Sequence, residues 1–135
     1  MKRILIITIL VMAVALFSCK KDKKAQNFGI VNFLSGKVTL VIKDKSVKAK
    51  VKDLIKEGTQ IITGKKSFVD IYIGKNGIKI LENTKVTFTK LMIEKITKKE
   101  NTELHLSQGK IFTKITRKLS KGESYKINTP TTTAG

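Results

Sequence analysis

The feature that most limits what this chain can fold into is its rhythm from residue 28 onward. Short alternating apolar runs are each stopped by glycine or a charged turn, and no helix-length 3.6-residue period appears. Phe28 to Leu34 is one run, ended by Ser35-Gly36, and Lys37 to Ile42 is another, ended by Lys43-Asp44-Lys45. Val47, Ala49 and Val51 alternate with Lys48, Lys50 and Lys52, which predicts one strand with a face in water. Asp53 to Gly58 reads as a turn before the run Thr59 to Thr63, which Gly64 closes. Phe68 to Ile73 is followed by Gly74-Lys75-Asn76-Gly77, and Asn-Gly between apolar runs predicts the reversal of a hairpin there. Val86 to Ile93 and Glu103 to Leu106 flank the polar stretch Lys98 to Asn101 and predict a second hairpin. Gln108-Gly109 then leads into Lys110 to Ile115, and Tyr125 to Asn128 stops at Thr129-Pro130.

About nine short strands, with turns roughly ten residues apart, define an all-β class. The expected architecture is a single small domain of short antiparallel or solenoid-like strands. A β-solenoid, a sandwich and a barrel all remain open on this pattern.

The first twenty residues have a different texture. Met1-Lys2-Arg3 carries positive charge and no acid, an apolar run extends from Ile4 to Phe17, and Lys20-Lys21-Asp22-Lys23-Lys24 follows Cys19. A positive start, a short apolar stretch and a small residue before the cut are the parts of a secretory signal. The run is too short for a membrane span of about 20 apolar residues. The only cysteine of the chain sits at the cut, behind Leu16, Phe17 and Ser18. Leu16 and Ser18 resemble the recognition residues of a lipoprotein signal, with Phe17 bulkier than usual between them. The expected division is therefore a signal peptide over 1–18, a lipidated Cys19 opening a charged tether over 19–27, and a β domain over 28–135. Acyl chains on Cys19 would hold the domain to a bilayer, outside the cytoplasm, in the periplasm or at the cell surface. Two or three chains anchor firmly, since each buried CH₂ contributes about 0.8 kcal/mol. A lone cysteine leaves no internal disulfide, so the domain must stand on its core.

Cleavage leaves about 117 residues and lowers the formal charge from +18 to +16, because Lys2 and Arg3 depart. Nucleic acid is not the expected partner. Export argues against it, and Arg3 and Arg117 are the only arginines, whereas base and phosphate forks are usually arginine work. The lysines are spread along every segment, the pattern of a solvated outer face with long-range attraction to anionic surfaces.

The strand and turn order resembles the FecR domain, named for the ferric-citrate regulator, over most of Gly29 to Gly135. The residues that carry the resemblance begin with Ser35-Gly36-Lys37-Val38, the stretch Leu54 to Gly64 with Gly58 and Gly64, and Ser67 to Ile71. They continue with Asn76-Gly77 to Thr84, Leu104 to Ile111 with Gly109, and Ile127 to Gly135 with Thr129-Pro130. The resemblance implies a non-enzymatic recognition, sensing or scaffolding role, with an envelope protein as partner. In signalling members of that family a transmembrane helix and a cytoplasmic anti-sigma region precede the domain, and here a lipid anchor stands in their place. Family members also continue beyond Ala134-Gly135, so the resemblance implies a C-terminally truncated domain. The alternative expectation is a structural surface lipoprotein whose lysine-rich face holds an anionic wall polymer or a lipid head group.

No catalytic residue, metal site or cofactor is expected from the residues and their spacing. His105, the single histidine, lies between Leu104 and Leu106 on the expected polar face. Nucleophilic catalysis needs a convergent base and a third orienting group, and nothing near His105 supplies them. Asp53 with Glu57, and Glu100 with Glu103, fall in predicted turns and read as solvated loops. Gly58 to Ser67 fails as a phosphate-binding loop, because Lys66 separates Lys65 from Ser67 and a strand follows.

Overall fold

The computed structural model describes residues 27–94 and 96–130 and the backbone of 133–134. Leu16, Phe17, Ser18 and Cys19, with the signal segment and nearly all of the tether, lie outside these residues. So does most of the family-like stretch after Pro130.

Twelve strands are present among the described residues: β1 Phe28–Ser35, β2 Val38–Ile42, β3 Lys45–Lys48, β4 Leu54–Lys56, β5 Gln60–Thr63, β6 Phe68–Ile73, β7 Asn76–Ile80, β8 Lys85–Ile93, β9 Glu100–Gln108, β10 Ile111–Lys114, β11 Ser124–Asn128 and β12 Thr133–Ala134. They form an all-β structure of two open sheets. The five-stranded sheet runs β10-β7-β6-β1-β4, and the seven-stranded sheet runs β12-β11-β9-β8-β5-β2-β3. Pairing is antiparallel throughout except between β9 and β11, which are parallel. The stacked coils of a solenoid would pair strands in parallel, and a closed barrel would have no edges. Here β10, β4, β12 and β3 are all edges.

Period-two alternation builds the core. Val69, Ile71 and Ile73 of β6, with Ile78 and Ile80 of β7, point to one side, and Leu40, Ile61, Val86, Phe88 and Leu104 face inward from the larger sheet. All of these belong to one cluster and are at most 2 % exposed. Fully burying such a side chain stabilises by about 1.5–3 kcal/mol, so this cluster carries most of the favourable energy of a chain without a disulfide.

Four local expectations are corrected. Val47, Ala49 and Val51 do not share one strand: β3 ends at Lys48, and only Ala49 is buried. The Lys50 N–H donates to Asp53 Oδ2 at 2.8 Å, which folds 50–53 into a turn with Lys52 at φ 74°. An Asx contact of this kind competes with strand pairing. Asp53 to Gly58 is not one turn either, because β4 lies within it and pairs Ile55 with Gly29 in β1. Ile55 is fully buried, and that burial draws the short segment into the sheet.

Asn76-Gly77 is not the hairpin turn. Ile73 pairs with Asn76, so Gly74-Lys75 reverse the chain, with Gly74 at φ 57°. A two-residue turn with positive φ at its first central residue suits glycine there. Asn76 is instead buried with both ends of its amide engaged. Finally, Glu100 stands in β9 rather than in a loop, in the same strand as the expected run from Glu103 to Leu106. The Glu100 carboxylate is accommodated inside because the Asn76 amide meets it.

Candidate functional site

Alternation that buries Ile71, Ile73, Ile78 and Ile80 must turn the residues between them to the other side. Cross-strand register then lines those residues up in two rows on the outer face of the five-stranded sheet. One row runs through Leu54, Ile30, Tyr72, Gly77 and Lys114. The other runs through Phe33, Asp70, Lys79 and Phe112. Phe33 reaches this face because β1 carries a one-residue bulge at Asn32, between Val31 and Phe33. Unbroken alternation would have sent Phe33 inward with Val31.

The face is apolar and cationic together. Phe112 is 63 % exposed and Tyr72 and Phe33 are each 50 % exposed, with Leu54 and Ile30 beside them. The rings of Phe33 and Phe68 lie 5.6 Å apart between centroids, tilted by 32°. Lys79 Nζ sits 4.9 Å from the Phe68 centroid and 3.6 Å from Asp70 Oδ1. The ring attraction is worth about 0.5–1 kcal/mol at an exposed site, and the ion pair no more than that, so Lys79 is guided without being locked.

Between Tyr72 and Phe112 the surface opens into a groove of about 410 Å³, lined among others by Asp70, Tyr72, Gly77, Lys79, Phe112 and Lys114. Gly77 forms its floor. A Cβ there would lie 3.4 Å from Tyr72 Cε1 and 3.8 Å from Cδ1, so the tyrosine ring leans across the glycine instead of standing away from the sheet. A ring laid over a bare strand offers its face as a stacking surface.

The end of the molecule beyond the Gly74-Lys75 turn is held by a polar cluster. Asn76 Nδ2 donates to Glu100 Oε2 at 2.8 Å, and the Thr116 N–H donates to Asn76 Oδ1 at 3.2 Å. Arg117 grips Glu123 with both terminal nitrogens, at 2.6 and 2.5 Å. The Ser120 N–H and the Glu100 N–H also donate to that carboxylate. Hydrogen bonds from Arg117 first, and then from Ser120, hold the Glu123 carboxyl well below the usual carboxylate range. The cluster is a brace for the loop between β10 and β11.

The positions singled out in the sequence are scattered over the fold. Gly36, Gly58 and Gly109 sit in turns with φ of 77°, 84° and 93°. Gly64 follows β5 and donates its N–H to the Lys37 carbonyl oxygen, outside the left-handed region. Asn76 and Gly77 are strand residues, one in the brace and one in the groove floor. Thr129 and Pro130 follow β11. His105 is half-buried in β9, opposite Thr87 and Asn128 on the outer face of the other sheet. No group of three metal-ligating side chains forms among the described residues. The groove residues Tyr72, Lys79, Phe112 and Lys114 were not singled out. Their signal was present in the pattern: an aromatic on the polar side of an alternating strand.

The class of protein these features define is an all-β domain of two open sheets with an exposed aromatic and lysine-bearing groove. No protein-family model, no curated protein and no solved structure matches the chain.

Proposed function

We propose that this chain is a lipid-anchored, non-enzymatic recognition protein of the bacterial cell envelope. Its FecR-like domain packs as a two-sheet sandwich and binds with the outer face of the five-stranded sheet. The observation that carries this reading is the concentration of Tyr72, Phe112, Phe33, Leu54 and Ile30 on that face, beside a groove. Contiguous exposed apolar area rimmed by polar residues marks an interaction surface. Acylation of Cys19 behind Leu16, Phe17 and Ser18 places the domain at a membrane, with the lysine-rich tether as spacer. Of the two expected occupants, an envelope protein and an anionic polymer, the groove favours the polymer. Lys79 and Lys114 stand beside the aromatic rings at its centre, where protein interfaces are depleted in lysine.

Two measurements test the two halves of the proposal. Mass spectrometry of membrane-extracted protein should find a mature N-terminus at Cys19 carrying acyl mass, and Cys19→Ala should abolish it. An intact Met1 start, or a cleaved form without lipid, removes the anchor. For the binding face, a photoreactive side chain at position 112 should give an adduct in intact cells that the same group at Lys90 does not. Equal labelling at both positions, or none, refutes the assignment of that face.

A further inference from the structure

We propose that the groove between Tyr72 and Phe112 binds a linear acidic polysaccharide carrying a carboxylate on its repeating sugars. Sugar rings stack on the two aromatics, and Lys75, Lys79 and Lys114 meet the carboxylates. The proposal rests on the reading of this face as the recognition surface and adds the chemistry of what it takes.

Spacing is the first support. Tyr72 stands beside Gly77 on one flank of β7, and Phe112 stands beside Lys79 on the other. The backbone positions that carry the two rings are therefore two strand spacings apart, about 10 Å, and offset by two residues along the strands. That is the scale of a disaccharide, so successive sugars of one chain reach both rings. The bare floor at Gly77 is the second support, because it leaves Tyr72 leaning over the sheet with a face to offer. A sugar has a hydrogen-lined face that fits such a ring, and the ring itself loses little freedom on binding because only two torsions define it.

Charge is the third support. The lysines enter separately, Lys75 from the hairpin turn, Lys79 from β7 and Lys114 from β10. No arginine lines the groove, and its one acid, Asp70, lies 3.6 Å from Lys79. Spaced ammonium groups suit single charges distributed along a polymer, whereas a phosphate calls for converging donors or a guanidinium fork. A nucleic-acid strand would also use stacked rings and cations. The export signal argues against it as the ligand here.

The test uses the full chain in detergent, with oligogalacturonate as the probe and neutral dextran, poly-L-glutamate and oligo-dT as comparators, by calorimetric titration. Oligogalacturonate is expected to bind, and the three comparators to bind at least about tenfold more weakly. Tyr72→Ala, Phe112→Ala and Lys114→Gln should each weaken the oligogalacturonate by about tenfold, while Lys90→Gln on the other sheet leaves it unchanged. All four side chains are exposed, so folding is not at stake, and circular dichroism of each variant checks that. Poly-L-glutamate binding as well, or an equal loss in Lys90→Gln, shows attraction by bulk charge and overturns the proposal. Preference for oligo-dT overturns it in favour of a nucleic-acid ligand. Failure of oligogalacturonate while the photoreactive group at 112 still labels a cellular component overturns the polysaccharide alone. Failure of both overturns the recognition face with it.

Discussion

Asn76 donates its side-chain amide to Glu100 Oε2 at 2.8 Å and so ties the first residue of β7 in one sheet to the first residue of β9 in the other. Both residues are buried, at 5 % and 9 % exposure. The same amide accepts the Thr116 N–H, so one side chain joins both sheets and the segment after β10. Removing it leaves a buried carboxylate short of a donor. Asn76→Ala is expected to lower stability by about 1–3 kcal/mol, read as a fall in the urea midpoint. Asn76→Asp should be worse at neutral than at acid pH, because two carboxylates then face each other. An unchanged midpoint in Asn76→Ala would show that the contact adds nothing.

Acid should loosen the same end of the molecule. The Glu123 carboxyl is depressed in the folded chain, principally by Arg117, from an ordinary value of 4.5. A depressed acid favours the folded state above its unfolded value, and the contribution disappears as pH falls through the folded value. The Glu123 contribution is therefore complete above about pH 5 and declines progressively below 4.5. Glu123→Gln should flatten that part of the stability profile. A wild-type profile that matches Glu123→Gln across this range contradicts the assignment.

Tyr125 offers a prediction of the opposite sign. Its hydroxyl is the one buried side-chain polar atom without a hydrogen-bond partner among the described residues. Burial pushes the phenol up, and Thr113 of the facing sheet opposes this only weakly, since it lies near the hydroxyl without meeting hydrogen-bond geometry. Deleting an unsatisfied group avoids its desolvation cost, so Tyr125→Phe is expected to be neutral or to stabilise by up to about 1 kcal/mol. Thermal unfolding decides it, and a loss of several degrees would mean that the hydroxyl has a partner after all.

Two glycine turns separate backbone strain from crowding. At Gly109, with φ of 93°, a Cβ would lie 2.5 Å from the Thr84 Cα, and Thr84 also receives the Lys110 N–H at 3.0 Å. At Gly58, with φ of 84°, nothing lies within 4 Å. Gly58→Ala should therefore show the left-handed penalty alone, about 1–2 kcal/mol, and Gly109→Ala clearly more. Equal losses in urea unfolding would mean that Thr84 yields without cost.

Much of the strand pattern follows from side-chain chemistry that is local in the chain. Val69, Ile71, Ile73, Ile78 and Ile80 alternate with polar or aromatic neighbours, and alternation specifies both strand and inward face wherever two sheets meet. Hence β1, β2, β5, β6, β8, β10 and β11 fall close to their expected runs. The lone cysteine and its apolar approach are equally a property of the sequence alone, and they lie outside the described residues. What local pattern could not decide was which polar residues would be taken inside. Asn76 has the chemistry of a turn residue, and Glu100 that of a loop. Each is buried because the other satisfies it from 24 positions away. Ile55 becomes a strand residue through burial beside β1, and Phe33 reaches the surface through a bulge that its own neighbours do not announce. The groove is likewise tertiary. Tyr72, Gly77, Lys79 and Phe112 stand on three different strands, and only their register makes one surface of them. The local sequence determined where the chain extends and which side is apolar, because those depend on neighbouring side chains. Partners distant in sequence decided what is buried polar and what is exposed aromatic, because a hydrogen bond or a cross-strand pair has no energy until both members meet.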